Sequence, residues 1–274
     1  MQQSYQDAMA FVRKYGKPDL FVTFTCNPTW PEIVTNLLPG QTPSDRPDLV
    51  SSVFYLKMKS LIADLMTGRI FGEPVGFVSV VEFQKRGLPH MHLLLTLAQT
   101  AKPHSSGDID QFVMAELPPN DVANAELRRL VLKHMVHGPC GELNDSSPCM
   151  VTKQIDGHEE RVCSKKFPRK FQPETVFDED RGVCYRRRND GRNWERVRTF
   201  DIDNRWVVPY NRYLMLKYGA HINVEICESH GGSVKYLYKY IFKGYDRASV
   251  EFSVAAGHAA SDLGQPVRHH DEIK

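Results

Sequence analysis

The sequence predicts an α+β protein: a central antiparallel sheet flanked by helices, interrupted by an irregular Cys- and Arg-rich insertion. Three observations carry this. Short β-prone apolar segments alternate with segments of helical period. Two of the β-prone segments flank the tight turn Lys85-Arg86-Gly87, which makes them antiparallel neighbours. The order helix, strand, helix, strand, strand, helix, strand, helix is that of a layered α+β fold.

Residues 5–15 read as a short helix, closed by Gly16-Lys17-Pro18. Asp19 to Thr25 is a strand rich in Leu, Phe and Val, stopped by Asn27-Pro28. Asp48 to Met66 is an amphipathic helix with Val50, Phe54, Leu61 and Leu65 on one stripe. Gly76 to Gln84 and Leu88 to Leu97 form the hairpin, residues 98–108 a polar loop, and Ala125 to Val136 a further helix. Residues 138–200 lose hydrophobic period and read as an insertion with short strands. Regular structure returns with Trp206 to Tyr218, a strand from His221 to Ile226 and a last helix from Ser233 to Lys243; the tail after Asp246 reads as loose.

Composition sets bounds on function. Among 274 residues, 41% hydrophobic and 25% charged content is that of a soluble globular protein. No apolar run approaches the roughly 20 residues of a membrane span, and the polar start Met1 to Asp7 has no signal-peptide character. The net charge of +2 says little, but its distribution says more. Between Arg161 and Arg198 lie Lys165, Lys166, Arg169, Lys170, Arg181, Arg186, Arg187, Arg188, Arg192 and Arg196, interleaved with Phe167, Phe171, Tyr185 and Trp194. That mixture suits nucleic acid as well as it suits a solvated loop surface. In a chain this long, six cysteines point to reduced thiols or a metal site rather than disulfide staples.

The strand Leu88-Pro89-His90-Met91-His92-Leu93 carries the first chemical signal. Alternate strand residues share a face, so His90 and His92 point the same way. Two imidazoles make half of a divalent-metal site. Glu82, on the partner strand, is the first choice for a third ligand and Gln84 the second. The second signal is Lys235-Tyr236-Leu237-Tyr238-Lys239-Tyr240-Ile241-Phe242-Lys243-Gly244. On a helical wheel Val234, Leu237, Tyr238 and Ile241 form a core stripe. Tyr236, Tyr240 and Lys243 fall opposite, the two tyrosines about 6 Å apart. A tyrosine hydroxyl can attack a phosphodiester where a metal stabilises the developing charge, and Lys243 would hold a phosphate. The third signal is Phe24-Thr25-Cys26-Asn27-Pro28, weak by itself. In the insertion, His137, Cys140, Cys149 and Cys163 form a possible structural zinc set, weighed against scattered thiols.

Together these segments resemble the Helitron transposon Rep domain, also called the Helitron helicase-like domain, of the HUH endonuclease superfamily. The likeness extends to His137-Gly138-Pro139-Cys140 and Tyr185-Arg186-Arg187-Arg188. The resemblance implies a rolling-circle initiator that nicks and rejoins single-stranded DNA through 5′-phosphotyrosine intermediates. Tyr236 and Tyr240 would be the nucleophiles, assisted by Lys243. His90, His92 and Glu82 (or Gln84) would hold Mg²⁺ or Mn²⁺. Lys239, Arg186, Arg187 and Arg188 would contact DNA. It further implies transposon ends as substrate, a helicase domain in cis and a nuclear location. This chain has no Gly-x-x-x-x-Gly-Lys-Ser/Thr loop, so no ATP site is expected. Residues 1–274 are expected to form one nuclease domain, truncated at one or both ends. The alternatives are an inactive or domesticated DNA-binding remnant, and a hydrolase in which water attacks.

Overall fold

The computed structural model describes Ala10 and residues 13–84, 87–155, 157–178, 182–189, 191, 195–197 and 200–227. The expected tyrosine helix, with Tyr236, Lys239, Tyr240 and Lys243, and the expected loose tail lie outside these residues. Of the expected helix over 5–15, Ala10 and residues 13–15 are described and are helical.

The fold is α+β, built on a four-stranded sheet in the order β10-β1-β3-β2. Its strands are β1 (Leu20–Thr25), β2 (Pro74–Phe83), β3 (Pro89–Leu97) and β10 (Ile222–Ile226), all paired antiparallel. β3 sits between two neighbours, and all nine of its residues are buried. Period-two alternation gives the sheet two unlike faces. Leu20, Val22, Phe24, Met91, Leu93, Leu95, Ile222 and Val224 make the apolar face, each essentially inaccessible.

Helix α1 is a single turn (Pro31–Val34), and α2 (Pro47–Met66) packs on the apolar face. Pro47 pre-sets the first turn of α2, and Asp48 complements its N-terminal dipole. Val50, Val53, Phe54, Leu61 and Leu65 are the stripe that α2 buries. A fully buried aliphatic or aromatic side chain of this kind contributes roughly 1.5–3 kcal/mol, so this contact dominates the core. Phe24 is its aromatic centre, with Phe54 at 5.1 Å, Tyr218 at 5.7 Å and Trp30 at 5.8 Å between centroids.

The expected loop over 98–108 is only partly a loop. Helix α3 (Ser106–Phe112) begins inside it, because Ser105 and Asp108 form a reciprocal capping box. Helix α4 (Ala125–His134) ends two residues before the expected boundary. Within the expected segment Trp206 to Tyr218, the helix is α5 (Arg212–Tyr218), capped by Asn211 and closed by left-handed Gly219. Between α4 and α5 lies a second apolar cluster that includes Leu127, Val131, Tyr210 and Met215.

The insertion holds three two-stranded ribbons: β4 (Met150–Ile155) with β5 (His158–Cys163), β6 (Val176–Asp178) with β7 (Gly182–Cys184), and β8 (Glu195–Val197) with β9 (Phe200–Ile202). It has a small core of its own in Cys140, Met150, Cys163, Phe167, Ile202 and Trp206. Gly138 has φ of +107°, and a Cβ there would meet the Trp206 ring at 2.8 Å, so this close approach needs glycine.

The Tyr185-Arg186-Arg187-Arg188 segment clasps the insertion to the body. Arg187 is 4% exposed, and its Nη1 reaches the carbonyls of Asn204 (2.6 Å), Val207 (2.7 Å) and Ala115 (3.1 Å). Arg188 grips Glu116 with two parallel hydrogen bonds, and Arg186 pairs with Asp110 at 2.8 Å. Tyr185 accepts the backbone N–H of Ile226 on β10. The guanidinium of Arg187, expected to contact DNA, is enclosed and hydrogen-bonded to backbone carbonyls. Replacing Arg187 with Met leaves buried carbonyls without partners. A loss of about 3 kcal/mol or more is expected in urea unfolding; a change below about 1 kcal/mol contradicts this account of the clasp.

Candidate metal centres

The polar face of the sheet is organised in rows across the strands. Thr25 lies opposite His90, and His90 opposite Glu82. In the next row Thr23 lies opposite both Asn223 and His92. His221 joins the first row, its carbonyl accepting the N–H of Thr25. Donor atoms of Glu82, His90 and His92 all lie within 4.8 Å of one another. Both histidines are buried, at 7% and 3% exposure, and their rings stand 4.4 Å apart, nearly perpendicular.

Each imidazole is held from β1. Thr25 Oγ1 lies 2.7 Å from His90 Nδ1, and Thr23 Oγ1 lies 3.2 Å from His92 Nδ1. Phe21, two residues before Thr23 on the same face, stacks on His92 with a centroid distance of 5.5 Å. His92 Nε2 faces Glu82 Oε1 at 3.5 Å. Gln84 Nε2 stands 3.4 Å from His90 Nδ1, so Gln84 helps to orient that ring. Ligand histidines usually donate one ring N–H to an oxygen acceptor and keep the other nitrogen for the ion; threonine hydroxyls at Nδ1 would leave Nε2 for that role. Burial pushes His90 down to about 3, assisted by His92 and His221. His92 is also lowered by burial, against the opposing pull of Glu82. Neutral imidazoles beside a carboxylate are a donor set that suits a divalent cation.

Thr23 and Thr25 escaped sequence reasoning. Their signal was present: Thr-x-Thr on one strand has the period of His-x-His on its neighbour. The Phe24-to-Pro28 motif also gains a physical meaning. Phe24 anchors the core, Thr25 holds His90, and Cys26 is buried. Asn27 ties the strand end to α5 through the Gly219 carbonyl at 2.7 Å.

The second cluster comprises His137, Cys140, Cys149 and Cys163, whose donor atoms also lie within 4.8 Å of one another. The β4–β5 ribbon assembles half of it: Met150 pairs with Cys163, and Ser164 N–H donates to the Cys149 carbonyl. Cys163 Sγ lies 3.4 Å from His137 Nε2. A zinc tetrahedron with bonds of about 2.3 Å to sulfur and 2.0 Å to nitrogen sets such atoms about 3.5 Å apart. Burial alone would raise the Cys163 thiol, but backbone N–H groups of Phe167 and Lys165 point at its sulfur and bring it down. Cys140 is raised by burial and by the neighbouring Cys163 and Cys149. Thiols packed this closely ionise together only around a cation, so the donor chemistry fits zinc.

Residues 1–95 match the family described as "Helitron helicase-like domain at N-terminus". This segment is similar to that family. The Helitron match runs from the N-terminus into β3 and so contains Glu82, His90 and His92; the Cys/His cluster lies beyond it. Comparison with curated proteins finds no match. Similarity to this family suggests interaction with DNA. No helix among the described residues is long and apolar enough to cross a membrane.

The buried histidines make stability depend on pH. His134, whose carbonyl lies 2.8 Å from His221 Nδ1, is pushed down to about 4 by burial, then by Lys133, His221 and Arg129. Unfolded histidines titrate near 6.5. Below that value the unfolded chain binds protons that native His90 and His134 refuse, so stability falls as pH falls. The urea midpoint should drop between pH 7 and pH 5, and drop less in His134→Gln. A midpoint that is flat or rises on acidification contradicts burial of neutral imidazoles.

Proposed function

We propose that this chain nicks and rejoins single-stranded DNA, using a divalent cation held by Glu82, His90 and His92. The supporting observation is the convergence of these donors on one polar sheet face, with Thr23 and Thr25 orienting the two imidazoles. Mg²⁺ or Mn²⁺ bound there would supply positive charge to a phosphodiester. Residues 1–274 are read as one nuclease domain of the rolling-circle type. Its DNA would be transposon ends, with a helicase domain in cis in longer relatives and the nucleus as the site of action.

The chain's own residues would do the rest. The hydroxyl oxygen of Tyr236 or Tyr240 attacks phosphorus as its proton departs. The bond from phosphorus to the 3′ oxygen breaks, and that oxygen takes up a proton and leaves as a free hydroxyl. The 5′ phosphate stays on the tyrosine, and the reverse reaction joins a new 3′ hydroxyl. Lys243 would hold a phosphate oxygen as a point charge, and Lys239 would contact the strand. Burial keeps His90 neutral across the physiological range, so it remains a donor rather than a cation. His137, Cys140, Cys149 and Cys163 would hold a zinc ion that shapes the insertion.

The test is incubation of labelled single-stranded DNA with the chain and Mn²⁺, resolved on a denaturing gel. A covalent protein–DNA adduct is expected, abolished when Tyr236 and Tyr240 are both changed to Phe and reduced at least 100-fold by His90→Ala. Binding without cleavage points instead to an inactive DNA-binding remnant. Cleavage without an adduct means that water is the nucleophile, and sinks the tyrosine assignment.

A further inference from the structure

The basic stretch of the insertion divides into two kinds of cation. Arg186 and Arg188 are neutralised by Asp110 and Glu116, Arg187 is buried against carbonyls, and Arg205 is paired with Asp203 at 2.7 Å. Lys165, Lys166, Arg169 and Lys170 differ. All are exposed, and none forms a salt bridge with a described residue. Four of the six residues from 165 to 170 thus present unneutralised charge.

Their backbone is held in place. Cys163 Sγ receives the N–H groups of Lys165 and Phe167, and the Cys163 carbonyl accepts from Lys166 N–H at 2.9 Å. This compact knuckle puts Lys166 in the left-handed region, with φ of +60°. Phe167 is buried and stacks on His137 at 4.4 Å, and Arg169 lies over the Phe167 ring at 5.2 Å. Arg169 N–H donates to the Arg205 carbonyl. The knuckle is tied to the sheet site through the end of α4: Phe167 stacks on His137, and the carbonyl of His134, three residues earlier, lies 2.8 Å from His221 Nδ1, while the His221 carbonyl accepts the N–H of Thr25 beside His90.

We propose that Lys165, Lys166, Arg169 and Lys170 form the surface along which the phosphate backbone of single-stranded DNA reaches the Glu82–His90–His92 face. The assignment rests on the nicking function proposed above. A pre-ordered row of unpaired cations loses little freedom on binding and releases counterions from the strand. The Cys/His cluster would then serve the reaction indirectly, by fixing this surface next to the sheet. The DNA-contacting role moves accordingly from the arginines of 186–188 to the knuckle.

Salt dependence reads this directly. Binding of a fluorescein-labelled oligothymidine is followed by anisotropy over a range of NaCl concentrations, for the full chain and for K165Q/K166Q/R169Q/K170Q. Each lost phosphate contact on a single strand removes about 0.7 from the slope of log K against log salt. The variant should show a slope shallower by about 2–3 and, near 0.1 M salt, affinity about tenfold or more lower. Matching urea midpoints and zinc contents confine the change to the surface. Where wild type binds with a steep slope and the variant keeps that slope, the knuckle assignment is overturned while the nicking function stands. A folded wild type that does not bind the oligonucleotide overturns both.

Discussion

The register of β1 against β3 is the constraint on which the rest of this structure depends. It places Thr23 opposite His92 and Thr25 opposite His90, and in the same stroke sends Val22, Phe24, Met91 and Leu93 into the core under α2. Shifting a strand by one residue exchanges its faces. A slip here would expose the core stripe and bury the polar set against α2, so hydrophobic burial enforces the geometry of the histidines. Folding energy and site geometry are thus one quantity viewed from two sides of the sheet.

The polar face has a cost that its partners offset. Imidazoles buried without hydrogen bonds would destabilise the sheet. The two threonine hydroxyls, Gln84 and Glu82 supply the neighbours that make His90 and His92 tolerable inside it. The same neighbours fix ring orientation. β10 completes the arrangement from the far side of β1, bringing His221 into the first row, where it also touches the end of α4.

Where sequence period and burial agree, the fold was legible in advance. β1, the β2–β3 hairpin, α2 and β10 were all readable because apolar residues recur with the period of the element. The Glu82, His90 and His92 set was readable for the same reason, since two alternations and one turn place three residues on one face. The insertion was not legible in this way. Its short ribbons carry little periodicity, and its small core is made of residues such as Cys140, Phe167 and Trp206 that sequence separation scatters. The pairing of Arg186 and Arg188 was not legible for a related reason: charge is visible in sequence, but the partners Asp110 and Glu116 lie about 70 positions away. Ser105 hid the start of α3 among polar neighbours, although its capping box with Asp108 is a local signal.

Cobalt(II) substitution, followed by optical and X-ray absorption spectroscopy, tests most directly whether the polar face and the Cys/His cluster are separate cation sites. The account expects one ion with thiolate-to-cobalt charge transfer, lost in Cys163→Ser. It expects a second ion with only nitrogen and oxygen ligands, lost when His90 and His92 are both changed to Ala. A folded wild-type chain that takes up only the thiolate-bound ion, or a second ion that survives removal of both histidines, would contradict it.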